Sequence, residues 1–254
     1  FRYIPFAAAI AVSLVYGLAN FSAIYLYPIF GQLVQEYTPS AAGFLILPGA
    51  MFAVLILPFT GQFADKVPVQ FGIAIGISLF GVSNIILASS DISTMFWVVA
   101  ALIVMGRIGL AFMTPSMMSA SLSTVPPEKL GEASAIVNFM MLFGGAIGIN
   151  ALVVLLDRRT QLHSEALTST QTSANPATRE LLDNVTRLLG EEGFAEALRS
   201  PVALNYLGDM VHAQANTLGF QDGFIAIAVV AFLGLVPAAI LHYTTRRARG
   251  RDNV

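Results

Sequence analysis

Long uncharged runs separated by short polar turns recur along the chain, and their lengths set the first expectation. The runs 4–30, 41–63, 71–89, 133–156 and 223–243 hold no Asp, Glu, Lys or Arg, and 92–119 holds one, Arg107. About 20 apolar residues at 1.5 Å rise cross the hydrocarbon core of a bilayer, so each run predicts a spanning helix. Six spans put both ends of the chain on one side. Ser13, Tyr16 and Asn20, at spacings of three and four, share a helical face that is expected to look inward. Between 157 and 221 the pattern changes to polar with amphipathic stretches. Asn175-Pro176 reads as an N-cap with proline in the first turn, Leu181, Leu182, Val185, Leu188 and Leu189 form an apolar stripe, and Gly190 supplies a stop. A second such helix is expected from Ser200-Pro201 to about Leu218. The expected organisation is therefore 1–156 for five spans, 157–221 for a helical extracytoplasmic segment, 222–245 for the sixth span and 246–254 for a basic tail.

Composition agrees: 56% of the 254 residues are hydrophobic and 11% charged, where soluble domains carry roughly 25% charged residues. The fold class is thus an all-α membrane protein. A net charge of −2 argues against a nucleic-acid partner, and the absence of cysteine excludes disulfides and thiolate metal sites. Arg2, Lys66, Lys129 and the tail arginines fall on one side, which the positive-inside rule makes cytoplasmic. The 157–221 segment carries five arginines, but segments of that length translocate largely regardless of charge.

Candidate chemistry is sparse. Arg107 is the one interior charge, and at mid-membrane it costs roughly 2.5–3.5 kcal/mol, so it needs a partner. It is either a substrate-site cation or a structural arginine bonded to carbonyls or to an acid from elsewhere. Seven of the nine methionines lie in 92–156, and thioethers repack around varied apolar guests. Of these, Met113, Met117 and Met141, beside Phe112 and Asn138, are the candidate cavity residues, with lipid-facing or core packing as the alternative for each. Asn138 and Asn150 in apolar runs otherwise serve as interhelical glue. Gly72 and Gly76, and Gly144, Gly145 and Gly148, offer small faces for close helix packing. Gly61 is expected to admit another backbone just before Asp65, after Pro58. His163, His212 and His242 lack metal spacing and read as solvated. No nucleophile elbow, phosphate loop or paired catalytic carboxylates occur, so no enzyme activity is expected.

Leu47-Pro48-Gly49, Pro58-x-x-Gly61-x-x-x-Asp65, Ala133-Ser134-Ala135-x-x-Asn138-Phe139, Gly144-Gly145-x-x-Gly148, Arg159 with His163, and Asp222-Gly223-Phe224 stand in an order that resembles the C-terminal half of fourteen-span drug:proton antiporters of the EmrB/QacA type, within the major facilitator superfamily. Two departures stand out: Met141 replaces a usual basic residue, and Gly106-Arg107-x-Gly109 fits the fourth-helix pattern only approximately. The resemblance implies half of an alternating-access exporter of amphipathic drugs or other hydrophobic small molecules. Its proton gradient replaces any cofactor, and the titrating acid lies in a missing N-terminal half. It adds Tyr16 and Asn20 to the candidate cavity residues, and further implies a multi-pass protein of the cell inner membrane and cytoplasmic gating by Pro58, Gly61 and Asp65. In double-membrane bacteria it implies a periplasmic adaptor and outer-membrane channel as partners. A narrower fatty-acid or siderophore exporter, and a non-transporting membrane scaffold whose outer helices recruit a partner, are the alternatives.

Overall fold

A computed structural model describes residues 4–123, 125–172, 174–241 and 243; the side chains of 4, 5, 63, 65 and 66 lie outside the description. The described residues form α1 (Ile4–Leu33), α2 (Pro39–Phe44), α3 (Leu47–Lys66), α4 (Val69–Leu87), α5 (Phe96–Leu122), α6 (Leu130–Thr170), α7 (Pro176–Glu191) and α8 (Glu196–Leu233). Six stretches are long and apolar enough to cross a membrane: Phe6–Leu33, Pro39–Gln62, Val69–Leu87, Phe96–Leu122, Pro127–Thr170 and Glu196–Leu241. The first, third and fourth coincide with the expected spans to within a few residues.

Three differences have physical causes. The second span is broken at Leu45-Ile46, because Pro48 has no N–H for the carbonyl of Phe44, and a new helix begins at Leu47. The helices of the fifth and sixth spans do not stop at 156 or start at 222. α6 continues for 41 residues, about 60 Å at 1.5 Å per residue, and α8 enters from Glu196. Gly219 and Gly223 do not interrupt α8, because α6 packs tightly there: a Cβ on Gly219 would overlap the Thr160 hydroxyl, and one on Gly223 would sit 3.0 Å from Leu156 Cδ2. The polar segment 157–221 is therefore two spans prolonged, with α7 laid against α8. α7 contacts α8 and no other described helix, with Leu181, Leu182, Val185 and Leu189 of its stripe half-buried and Leu188 exposed.

Glycine decides which helices meet by backbone contact. Added carbons on Gly17 and Gly144 would overlap the carbonyl oxygens of Met141 and Leu14, and one on Gly148 would lie 2.5 Å from the Leu18 oxygen. α1 and α6 thus touch main chain to main chain. The same holds for α4 and α5, where Cβ atoms on Gly76 and Gly109 would each come within 2.7 Å of the other residue's oxygen, while Gly72 faces Ser116. α3 leans mainly on α5, and α8 packs on α4, α6 and α1. At the end away from Lys66 and Lys129, called distal here, Phe30 meets Phe224 and Phe220 at 5.3 and 5.9 Å, locking α1 to α8.

The distal turn between α4 and α5 is held by amides. Gln35 Nε2 donates to the oxygens of Asp91 (3.3 Å) and Thr94 (2.8 Å), and Gln221 Nε2 to that of Ser90 (3.2 Å). Within the turn, the Ser93 and Thr94 hydroxyls donate to Asp91 Oδ1 at 2.7 and 2.9 Å. These bonds, Ser93 first, hold the Asp91 carboxyl below its ordinary value of 3.8.

Two outcomes follow for the purified protein in detergent. Gly144→Val forces α1 and α6 apart and lowers unfolding free energy by about 2 kcal/mol or more. Gly208→Ala, where a Cβ meets no atom within 4 Å, raises it by roughly 0.5–1 kcal/mol. Chemical denaturation measures both. Because the folded carboxyl of Asp91 titrates below the unfolded one, its contribution is complete above pH 3.8 and lost as pH falls through the depressed value. Thermal melts across that range show the loss in the parent and a shallower acid limb in Asp91→Ala.

Candidate functional site

α1 pairs with α6, and α5 with α4 and α3, so α1 and α5 approach one another along a seam without a glycine weld. Polar side chains bridge that seam. Arg107 Nη1 donates to Asn20 Oδ1 at 3.1 Å, and the Thr114 hydroxyl lies 3.1 Å from Tyr16 Oη while also donating to the Leu110 carbonyl at 2.8 Å. Residues 16 and 20 are one turn apart on α1, whereas 107 and 114 are two turns apart on the antiparallel α5, so the two bridges form successive rungs. Further distally, Tyr27 Oη donates to Asn84 Oδ1 (3.4 Å), whose amide nitrogen donates to the Phe80 carbonyl (2.8 Å). Tyr16, Asn20, Tyr27 and Asn84 are buried.

Arg107 is held by geometry on three sides. Its stem passes over Gly49 of α3, where a Cβ would come within 2.9 Å of Arg107 Cγ, so Gly49 is the residue that leaves room for it. Its Nε is buried and has no acceptor. Among the described residues no carboxylate lies within 4 Å of the guanidinium, leaving the amide oxygen of Asn20 as its bonded partner. A cation half-buried against neutral groups in an apolar bundle retains most of its capacity to attract an anion.

The other expected site residues fall elsewhere. Met113 and Met117 are 3% and 1% exposed; they are core residues, Met113 pressed against Gly76 of α4, because their helical phase turns them away from the seam. Phe112 and Met141 are half-buried, and the Met141 carbonyl forms the close contact with Gly17. Asn138 is exposed on α6 and donates to its own helix at the Ser134 oxygen (3.0 Å), and Asn150 does the same to the Ala146 oxygen (2.7 Å), so neither bonds another helix among the described residues. Pro58 is exposed within α3, and a Cβ on Gly61 meets no atom within 4 Å, so the expected close approach at Gly61 is not made by any described residue. The side chain of Asp65, Arg2 and the arginines of the tail lie outside the described residues, as does His242.

Sequence reasoning missed several participants. Thr114 and Asn84 sat in apolar runs with no motif, and Gly17 lacked a small-residue partner at i+4. His163 is not solvated: its Nε2 lies 2.8 Å from Asp222 Oδ2, with Arg159 Nε at 3.7 Å, joining α6 to α8 where the two prolongations begin. Its place beside Arg159, four residues earlier, was the available signal.

A double-mutant cycle on Asn20→Ala and Arg107→Gln, read by denaturation, gives a coupling of about 1.5–3 kcal/mol, as expected for a hydrogen bond to a charged group. The Tyr16→Phe and Thr114→Val cycle gives roughly 0.5–1.5 kcal/mol.

Comparison with known proteins places this geometry in context. The sequence profile of the Major Facilitator Superfamily matches residues 1–149. The chain is 27% identical over 237 residues to the colistin resistance protein EmrB of Acinetobacter baumannii, covering 92% of this chain and 45% of that protein. It is 24% identical over 221 residues to the multidrug export protein EmrB of Haemophilus influenzae, covering 86% and 41%, and 27% identical over 152 residues to the multidrug resistance protein Stp of Mycobacterium tuberculosis, covering 60% and 28%. The chain thus spans less than half the length of these curated relatives. With six membrane-length helices among the described residues and a profile match over more than half its length, this chain is a multi-pass membrane protein belonging to the Major Facilitator Superfamily.

Proposed function

We propose that this chain is the C-terminal half of a proton-coupled exporter of amphipathic drugs or related hydrophobic molecules, operating by alternating access in a bacterial inner membrane with the Lys66 and Lys129 turns facing the cytoplasm. The observation that carries it is the polar seam: a cation, Arg107, hydrogen-bonded to Asn20 inside a bundle whose relatives include proteins named as drug exporters. Proton coupling requires a titratable acid in the membrane interior. From α1 through α5 the helix interiors carry no carboxylate short of Asp65 in the last turn of α3. The coupling acid is therefore assigned to a companion bundle, which the coverage of under half of each relative leaves room for.

Exposed apolar side chains support the same arrangement. Met51, Phe52, Leu55 and Phe59 on α3, and Phe139, Leu142 and Phe143 on α6, are exposed, giving surfaces for a companion bundle and for lipid. The prolonged α6 and α8, with α7, provide the distal platform at which a periplasmic adaptor and outer-membrane channel would engage. Transport here is binding and conformational exchange, with no covalent step.

In cells lacking their own drug pumps, the full-length transporter extrudes chemically unrelated amphipathic dyes, and collapse of the proton gradient stops it. Asp65→Asn lowers the initial efflux rate about tenfold at unchanged membrane abundance. Efflux that persists without a gradient contradicts proton coupling, and efflux of one substrate class only favours the narrower exporter.

A further inference from the structure

The chemistry around Arg107 says what kind of cargo the seam takes. A guanidinium has five donors. Among the described residues one bond is made, to the neutral Asn20 amide, and Nε is buried without an acceptor. Tyr16 and Thr114 satisfy one another one rung away, and Tyr27 and Asn84 do so further out, so the neighbouring polar groups do not compete for the cation. Ile103, which lies with Arg107 over Gly49, adds apolar surface beside the cation. A planar head with two acceptor oxygens, attached to an apolar body, meets both requirements: its oxygens take the terminal guanidinium donors in a fork, and its body lies along the seam. A cationic head would instead face Arg107 across a low-dielectric gap.

Building on the exporter function proposed above, we infer that Arg107 is the headgroup receptor of the transport site and that it selects amphiphiles bearing a carboxylate or similar oxyanion. Asn20 is the positioning residue. Its amide oxygen accepts from Nη1 and fixes the guanidinium plane, so an arriving carboxylate finds the remaining terminal donors in place.

The test uses the full-length transporter in inverted membrane vesicles and three dodecyl-chain probes that differ only in the head: a carboxylate, the primary amide and a trimethylammonium. The parent accumulates the carboxylate fastest. Arg107→Gln lowers carboxylate transport roughly tenfold or more, the loss expected when a charge-assisted bond is removed, and leaves the amide within about twofold. Arg107→Lys retains carboxylate transport better than Arg107→Gln. If Arg107→Gln fails to reach the membrane, Asn20→Asp is measured instead: an internal carboxylate beside Arg107 then competes with the probe and raises the carboxylate KM while sparing the amide. Equal losses for all three probes, or none, overturn the headgroup assignment while leaving the exporter function standing. Parent vesicles that move none of the three overturn both.

Discussion

Close approach of main chains at glycine is the constraint from which the rest of this structure follows. Lipid tails are as apolar as leucine side chains, so helices in a membrane gain little by merely burying hydrophobic surface; they associate where small residues let backbones touch. Gly17 with Gly144 and Gly148 joins α1 to α6, and Gly76 with Gly109 joins α4 to α5. Once these pairs are fixed, α1 and α5 face each other without a glycine weld. That interval is where polar side chains collect.

The seam is joined by side chains and not by main-chain contact. Asn20 and Arg107, Tyr16 and Thr114 reach across a distance that backbone contact would have eliminated. The cost of holding a cation there, about 2.5–3.5 kcal/mol on insertion scales, is offset only in part by one amide oxygen. Such a residue is a candidate binding group. The distal end has the opposite character: Phe30, Phe220 and Phe224 interlock, and Gln35 and Gln221 pin the α4–α5 turn by its carbonyls. The seam is thus flanked distally by a tied-down end.

Much of the fold was legible from hydrophobic runs alone, since 20 apolar residues without charge have few other fates. Helix continuity was not. Residues 157–170 are polar yet helix-forming, and only the contacts of Thr160 with Gly219 and of His163 with Asp222 reveal that α6 and α8 rise together beyond the apolar region. Tyr16, Asn20 and Arg107, which the structure joins by hydrogen bonds between α1 and α5, stood out in the sequence because polar groups in apolar runs are conspicuous. For Met113 and Met117 composition left cavity and core both open, and their burial in α5 agrees with core packing. Thr114 was invisible because threonine in a membrane helix usually bonds its own carbonyl, and here it does that as well as facing Tyr16.

The central claim is that the α1–α5 seam, and not the glycine-welded contacts, is the surface that cargo and water reach. The chain has no cysteine, so single cysteines report cleanly on it. In the full-length transporter, Tyr16→Cys and Asn20→Cys are predicted to react with a membrane-impermeant thiol reagent during turnover and to be protected by an amphipathic substrate. Cysteines there that stay unreactive throughout the cycle, or that substrate leaves unprotected, contradict the account.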